Sequence, residues 1–160
     1  MKTIHLMIGI QGSGKTTLAK KLATTYHAKI ISTDEVRKNY PHIEEKMVWP
    51  TVYKMCAIEL EQGLDVIFDA TSITPKVRKR LVDNIIQYTS DFKIGCHFLD
   101  VPVEICKTRV IKRNQLAGEL FLPIEVIDNY FEQLIPPTID ENFCFIKIYD
   151  ENQNLIKEIK

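Results

Sequence analysis

Residues 9–16 read Gly-Ile-Gln-Gly-Ser-Gly-Lys-Thr and match the phosphate-binding P-loop pattern at every fixed position. The segment follows a short apolar run, residues 3–8, that predicts a buried strand. It also precedes a pattern that predicts a helix over residues 15–26. A plain glycine-rich turn with an exposed lysine is the alternative interpretation, but it needs no such flanking elements. The sequence therefore predicts a site for the phosphates of ATP.

Each part of this motif has a physical role in holding ATP. The glycines allow backbone angles that turn successive N–H groups inward, and the following helix adds its positive end. Lys15 is expected to reach the β- and γ-phosphates, and the Thr16 hydroxyl to hold Mg²⁺. The predicted ATP-binding residues of this segment are Gly9, Gly12, Ser13, Gly14, Lys15, Thr16 and Thr17.

Strand and helix patterns alternate along the rest of the chain. Further strands are predicted at residues 28–32, 65–68, 92–99 and 143–149. The tail after residue 150 is a candidate for an additional edge strand. Further helices are predicted at residues 34–40, 43–62, 75–88, 102–116 and 123–134. The alternation predicts an α/β P-loop NTPase fold of three layers, α/β/α, with a mainly parallel five-stranded sheet. We expect one domain over residues 1–160, with a helical lid at about residues 102–122.

Composition narrows the classes of function. The formal net charge of zero argues against a protein that coats nucleic acid through bulk charge, although a local basic site remains compatible with it. The four cysteines form no C-x-x-C pair and are predicted to be reduced, mostly buried thiols without a metal. The sequence shows neither a signal peptide nor a membrane span. We therefore expect a cytoplasmic protein with no membrane association and no obligate protein partner.

Two carboxylates follow predicted strands, where ligands of open α/β sheets bind. Asp34 comes just after the second strand and is a candidate to orient or deprotonate an acceptor hydroxyl. Arg37 lies three residues later on the same helical face and is suited to grip an anionic acceptor. Asp69 ends the third strand and is a candidate for Mg²⁺, directly or through water. A helix or turn cap is the structural alternative for each aspartate.

Arg109 and Arg113 are spaced i, i+4 on the helix after the fourth strand, so they share one face. Arginines at such a place stabilise the charge on a transferring phosphoryl group. Gly118 follows them and is a candidate hinge for the lid. An exposed basic helix face is the equally weighted alternative, because charged helix faces are common.

Two other groups of residues favour structural roles. Lys76, Arg78, Lys79 and Arg80 form the densest basic cluster, which is more typical of a solvated helix start than of a polyanion site. Trp49 and Tyr53 are spaced i, i+4 and are suited to stacking on a base, although such pairs more often belong to the core.

Four segments in order, GIQGSGKTT at 9–17, STDEVR at 32–37, IFDATSITPKVRKR at 67–80 and DVPVEICKTRVIKRN at 100–114, carry a family resemblance. Together they resemble the kinase domain of phage-type polynucleotide 5′-kinases and the wider group of small P-loop kinases that includes zeta-type toxins. The resemblance runs from residue 3 to about residue 134. It departs from the family's D-T-N motif, since the chain has Asp-Ala-Thr-Ser at residues 69–72.

The resemblance implies a role for each matching position. On the acceptor side, Asp34 matches the general base, Arg37 the arginine that contacts the acceptor's phosphate, and Asp69 the aspartate that helps to organise the site. On the donor side the matching residues are the ATP and Mg²⁺ pair, Lys15 and Thr16, and the lid arginines, Arg109 and Arg113. Lys15, Asp34 and Arg113 are the predicted catalytic residues.

The expected function is an ATP- and Mg²⁺-dependent kinase whose acceptor is the 5′-hydroxyl end of DNA or RNA. A small-molecule kinase acting on a nucleotide sugar, a nucleoside or an antibiotic is the first alternative. An ATP-binding module that transfers nothing is the second. The departure at residues 69–72 is common in the wider group and does not favour polynucleotides.

Overall fold

One sheet of six strands forms the centre of the protein. The computed structural model describes residues 1–118 and 121–160. The strands are β1 Lys2–Ile8, β2 Lys29–Ser32, β3 Val66–Asp69, β4 Phe92–Leu99, β5 Ile146–Tyr149 and β6 Leu155–Ile159. The helices are α1 Lys15–Tyr26, α2 Thr33–Asn39, α3 Glu45–Glu61, α4 Pro75–Ile85, α5 Val103–Asn114 and α6 Ile124–Gln133, and Ile139–Glu141 forms one 3₁₀ turn.

The strands are arranged in the order β2-β3-β1-β4-β5-β6. Strands β1 to β5 pair in parallel, which confirms the predicted mainly parallel α/β sheet. The tail supplies the sixth strand, β6, which runs antiparallel to β5 at the edge of the sheet. The predicted last parallel strand is shorter than expected, since the chain bends at Cys144 and β5 begins at Ile146.

The strand order determines where the site forms. Strand β3 lies between β2 and β1, and Ser32 at the end of β2 is paired with Asp69 at the end of β3. The P-loop follows β1 on the other side of β3. Because parallel strands bring their carboxyl ends to one edge, the residues after β2, β3 and β1 lie side by side there.

The core lies on both faces of the sheet, as is typical of a parallel sheet covered by helices. Along β1 the side chains alternate, so that Ile4, Leu6 and Ile8 belong to one apolar cluster and Met7 to the other. The first cluster includes residues of α2, α3 and α4, and the second includes residues of α1, α5 and α6. Trp49 and Tyr53 pack with the first cluster, and Trp49 lies 6.0 Å from the ring of Phe68. These aromatic residues therefore belong to the core.

The helix boundaries follow local chemistry. Ser32 is the N-cap of α2, and its hydroxyl accepts a hydrogen bond from the Glu35 amide at 3.0 Å. The Thr74 hydroxyl caps α4, in which Pro75 takes the first position. Gly63 follows α3 with φ +84°, a conformation in which glycine commonly ends a helix. Among the described residues no helix is long and apolar enough to span a membrane.

A chain of buried polar side chains crosses the sheet beneath the end of α1. Asp65 lies 3.1 Å from Nε2 of His5, whose Nδ1 lies 2.9 Å from Nε2 of His97. Nδ1 of His97 lies 2.8 Å from the Tyr149 hydroxyl. If Tyr149 donates to His97, His97 to His5 and His5 to Asp65, every contact is satisfied with both imidazoles neutral. Burial lowers the pKa of both histidines. The pKa of His97 falls to about 2, and the neighbouring His5 and the Lys147 ammonium contribute to that shift.

The hydrogen-bonded side chains from Asp65 to Tyr149 predict that the stability of the fold depends on pH. An unfolded histidine titrates near pH 6.5, whereas the folded imidazole of His97 stays neutral, so the unfolded state binds more protons as the pH falls below 6.5. We expect the free energy of unfolding to fall between pH 7 and pH 5, and His97→Gln to reduce that loss by roughly 2 kcal/mol. Chemical denaturation of both proteins at the two pH values measures the difference. An equal loss in both proteins would contradict this account.

Candidate active site

Two glycines of the P-loop have backbone angles that other residues avoid. Gly12 has φ +83° and Gly14 has φ +100°. A β-carbon at Gly12 would lie 2.5 Å from the carbonyl oxygen of Cys106, so only glycine fits where α5 crosses the loop. A β-carbon at Gly9 would lie 2.6 Å from the Ser13 hydroxyl oxygen. Close packing around the loop therefore requires glycine at positions 9 and 12.

The outer side of the P-loop is held by an arginine of α5. The Arg109 guanidinium donates from Nη1 to the carbonyl oxygens of Gly12 and Ser13, at 3.1 and 3.3 Å. Its Nη2 donates to the Glu151 carbonyl oxygen at 2.6 Å, in the turn between β5 and β6. The Ser13 hydroxyl donates to the Ile10 carbonyl oxygen at 2.7 Å. The bonds of Arg109 engage carbonyl groups of the loop and not its amides. The Gly9 and Ser13 amides donate to the carbonyl oxygens of Thr71 and Ile10, at 3.3 and 3.2 Å, so an anion would bind the amides of the other loop residues.

The N-terminal end of α1, where the helix dipole is positive, has no acidic residue of its own helix beside it. Gly14 is the N-cap, no side chain caps the helix, and its first turn contains no acidic residue. The first-turn amides, those of Thr16 and Thr17 among them, have no carbonyl partner within the helix. A phosphate group is the typical ligand of such a helix end after a glycine-rich loop.

Lys15 is half-buried at the same end of α1. Burial lowers the pKa of its ammonium, and the Arg113 guanidinium lowers it further, while the Asp69 and Asp34 carboxylates oppose this. Among the described residues its Nζ has one long hydrogen bond, 3.5 Å to the Ile10 carbonyl oxygen, although an ammonium offers three donors. Burial therefore disfavours the charged ammonium more than the two carboxylates favour it. An anionic ligand beside Nζ would stabilise the charged form.

A hydroxyl and a carboxylate meet beside Lys15 and fit a magnesium ion. The Thr16 hydroxyl donates to Oδ2 of Asp69 at 3.1 Å, joining the start of α1 to the end of β3. Both are hard oxygen ligands, and Mg²⁺ takes one or two such groups together with phosphate oxygens and water. Thr16 and Asp69 are therefore the residues that would hold the ion.

On the far side of Asp69, three charged side chains form a second cluster. The Asp34 side chain is 95% exposed, and its Oδ1 accepts a hydrogen bond from Nη1 of Arg37 at 3.1 Å. Nη2 of Arg37 donates to Oε1 of Glu45 at 2.6 Å, and Nε contacts both Glu45 oxygens at 3.2 Å. Glu45 is the main cause that raises the pKa of Arg37, and Arg37 lowers the pKa of Glu45.

Comparison with known sequences places these motifs in a family. Residues 4–137 match the sequence family described as AAA domain. The chain belongs to this AAA domain family. No curated protein sequence is significantly similar to the chain.

Solved structures share the fold of this AAA domain. A sugar kinase from Janibacter sp. HTCC2649 superimposes with a TM-score of 0.69 at 20% identity, over 96% of this chain and 87% of that one. A gluconokinase from Sinorhizobium meliloti 1021 gives 0.59 at 17% identity, over 96% and 84%. A chain of the Pnkp1/Rnl/Hen1 RNA repair complex gives 0.72 at 24% identity, over 83% of this chain and only 44% of that one. Likeness at these identities shows the fold alone, which is that of P-loop kinases.

The AAA domain brings most of the predicted site residues together. The loop residues, Asp69 and Asp34 lie along one edge of the sheet, and Arg113 is near enough for its charge to act on Lys15. Arg109 instead contacts backbone carbonyls of the loop and of the β5–β6 turn. A direct contact of Arg109 with ATP stays a prediction. The predicted lid, residues 102–122, includes residues 119 and 120, which lie outside the described residues.

The basic cluster divides into two parts. Lys76, Lys79 and Arg80 are exposed, as the solvated interpretation predicts. Arg78 is only 2% exposed, so that interpretation is wrong for this residue. Its guanidinium donates to the Glu141 carboxylate at 2.8 Å and to the Ser72 carbonyl oxygen at 2.8 Å. Arg78 thereby anchors the segment after Asp69, and its place in a run of exposed charges gives no sign of this.

Sequence reasoning also missed two residues that touch the site. Glu45 begins α3 and pairs with Arg37 from another helix, a contact that no local spacing indicates. Gln153, in the β5–β6 turn with φ +63°, places its side-chain amide 3.2 Å from where a β-carbon of Gly14 would lie. Both contacts depend on tertiary packing between segments that are distant in sequence.

The packing at Gly12 generates a prediction. We expect Gly12→Ala to weaken binding of the magnesium-bound nucleotide at least tenfold, because the added methyl group meets the Cys106 carbonyl and distorts the loop. Gly63→Ala is the matched control, since Gly63 has φ +84° but nothing within 4 Å of the added atom. That variant should lose only about 1–2 kcal/mol of stability through backbone strain. Calorimetric titration measures binding, and unchanged affinity in Gly12→Ala would contradict the packing argument.

Proposed function

We propose that this AAA domain is an ATP-dependent phosphotransferase that moves the γ-phosphate to a hydroxyl acceptor. The observation that carries the proposal is the shared edge of three neighbouring strands. The P-loop follows β1, Asp69 ends β3, and Asp34 follows β2. A donor site and a hydroxyl-orienting carboxylate therefore stand on either side of a carboxylate suited to Mg²⁺.

On the donor side, the protein's own groups supply positioning and charge. The loop amides and the start of α1 orient the phosphates, and Lys15 and Arg113 stabilise negative charge that spreads over the transferring phosphoryl group. Mg²⁺ held by Thr16 and Asp69 would neutralise charge on the β- and γ-phosphates. Since the transition state is loose, placement and electrostatics provide most of the acceleration.

On the acceptor side, Asp34 is the group that orients the attacking hydroxyl. Its carboxylate is exposed, so an acceptor can reach it, and its hydrogen bond to Arg37 fixes its direction. The hydroxyl would donate to the oxygen of Asp34 that Arg37 does not engage, and its proton would pass to Asp34 as the phosphoryl group transfers.

The 5′-hydroxyl end of DNA or RNA is the acceptor that we propose. The ordered motifs resemble polynucleotide 5′-kinases, and a structure of an RNA repair complex contains a chain of the same fold. The guanidinium edge of Arg37 that pairs with Glu45 has the geometry that binds a phosphate, and a phosphate of the acceptor strand would take that edge. An open surface depression of about 440 Å³ lies in the segment after α2 and is lined by Asn39–Ile43 and Thr51.

A small neutral sugar or polyol is the second candidate acceptor. Both edges of the Arg37 guanidinium contact carboxylates, so a neutral acceptor needs no exchange of partners to reach Asp34. Two of the structures with this fold are described as a sugar kinase and a gluconokinase.

Replacement of Asp34 tests the proposed transfer. We expect Asp34→Asn to reduce the rate of phosphoryl transfer at least about a hundredfold, because asparagine cannot accept the proton, while nucleotide affinity stays unchanged. A γ-labelled ATP assay and calorimetry measure the two quantities. The exposed Glu35→Gln provides the control for loss of one negative charge on the same helix. Full transfer by Asp34→Asn would exclude the assigned role, and absence of transfer by the wild type to every acceptor would exclude the kinase.

The same assay separates the acceptors when it covers oligonucleotide ends, nucleosides, sugars and nucleotide sugars. Each phosphate contact with a single strand gives a slope of about −0.7 in a plot of log affinity against log salt. We therefore expect the acceptor affinity for an oligonucleotide to fall about two- to threefold per contact between 50 and 200 mM salt. A saturable small acceptor with no such dependence would favour the second candidate.

A further inference from the structure

The Arg37 side chain presents one edge to a two-oxygen anion from its own protein. Nε lies 3.2 Å from both carboxylate oxygens of Glu45, and Nη2 donates to Oε1 at 2.6 Å. This side-on geometry is the one by which a guanidinium recognises carboxylates and phosphates alike. Glu45 therefore occupies the place that an acceptor phosphate would take.

The two carboxylates on Arg37 differ in how they are attached. Asp34 lies three residues earlier on the same helix and contacts Nη1, the opposite end of the guanidinium. Glu45 belongs to the first turn of α3, beyond the connection at residues 40–44. An anion that displaces Glu45 leaves the pairing of Asp34 and Arg37 intact, so the hydroxyl-orienting group keeps its direction.

Exposure makes Glu45 replaceable. Its side chain is 70% exposed, and that of Arg37 is 39% exposed. Water can hydrate the Glu45 carboxylate once it leaves, and exposed ion pairs are weak. A phosphate monoester or diester offers the same pair of acceptor oxygens as a carboxylate, so it can compete for the same edge.

We propose that Glu45 is a specificity-determining residue that competes with the phosphate of an acceptor for Arg37. The inference rests on the proposed function, since it concerns the acceptor side of the same site. Neutral molecules reach Asp34 without competition, whereas a phosphate-bearing acceptor must displace Glu45. The carboxylate thus lowers the affinity for phosphate-bearing acceptors and holds Arg37 in its binding orientation when no acceptor is present.

Removal of the Glu45 charge tests this competition. Glu45→Gln retains the size of the side chain but not its charge. The probes are a nucleoside 3′-monophosphate and the same nucleoside without phosphate, titrated calorimetrically with Mg²⁺ and a non-hydrolysable ATP analogue present. We expect Glu45→Gln to bind the monophosphate about fivefold more tightly than the wild type and the plain nucleoside equally well.

Glu44→Gln is the matched control. Glu44 is the neighbouring residue, its side chain is also 70% exposed, and it pairs with Lys46 at 3.1 Å instead of with Arg37. The substitution removes the same charge from almost the same place. We expect it to leave both affinities unchanged.

Three results would overturn the proposal. The first is unchanged or weaker binding of the monophosphate by Glu45→Gln, which would show that Glu45 only supports Arg37. The second is an equal gain in Glu44→Gln, which would show a general effect of charge. The third is a gain for the plain nucleoside in Glu45→Gln that equals the gain for the monophosphate, which would show that Glu45 does not compete with the phosphate. Transfer of labelled phosphate is measured separately, so loss of the proposed function and loss of this inference give different results.

Discussion

The contact between α5 and the outer side of the P-loop is the interaction on which the site depends. The Cys106 carbonyl approaches Gly12 so closely that no side chain fits, and Arg109 binds the carbonyls of Gly12 and Ser13. With its carbonyls engaged outside, the loop has amides to offer on its inner side. Arg109 also reaches Glu151, so one side chain joins the loop, α5 and the last turn of the chain. The phosphate site is therefore preorganised by packing and does not depend on the glycine-rich turn alone.

The strand order supplies the second constraint. Because β3 separates β2 from β1, Asp69 lies between Asp34 and the loop. Two positive and two negative side chains lie near one another along this edge of the sheet. The Arg113 guanidinium lowers the pKa of Lys15, whereas Asp69 and Asp34 favour its charged form. Because burial is the main cause that lowers the pKa of Lys15, an anionic ligand beside it would stabilise the charged ammonium.

The sequence predicted the elements that local patterns encode. The P-loop, α1 and β4 were predicted with their observed bounds, because the motif, the glycine turn and a long apolar run define them. The strand-end aspartates were predicted from a general rule about α/β sheets. Arg78 and Glu45 were not, because burial of an arginine under the 3₁₀ turn and pairing across two helices arise only in three dimensions. Arg109 was placed on the correct helix, but its pairing with loop carbonyls required the packing of α5 to be known.

The central claim is that the loop and Lys15 bind the triphosphate of ATP, and calorimetric titration with magnesium-bound ATP tests it most directly. Lys15→Met keeps an unbranched side chain that is one atom shorter and removes its charge, and the exposed Lys20→Met on the same helix serves as the control. The account predicts a ten- to hundredfold loss of affinity, roughly that of hydrogen bonds to a charged group, in Lys15→Met and none in Lys20→Met. Undiminished binding by Lys15→Met would contradict it.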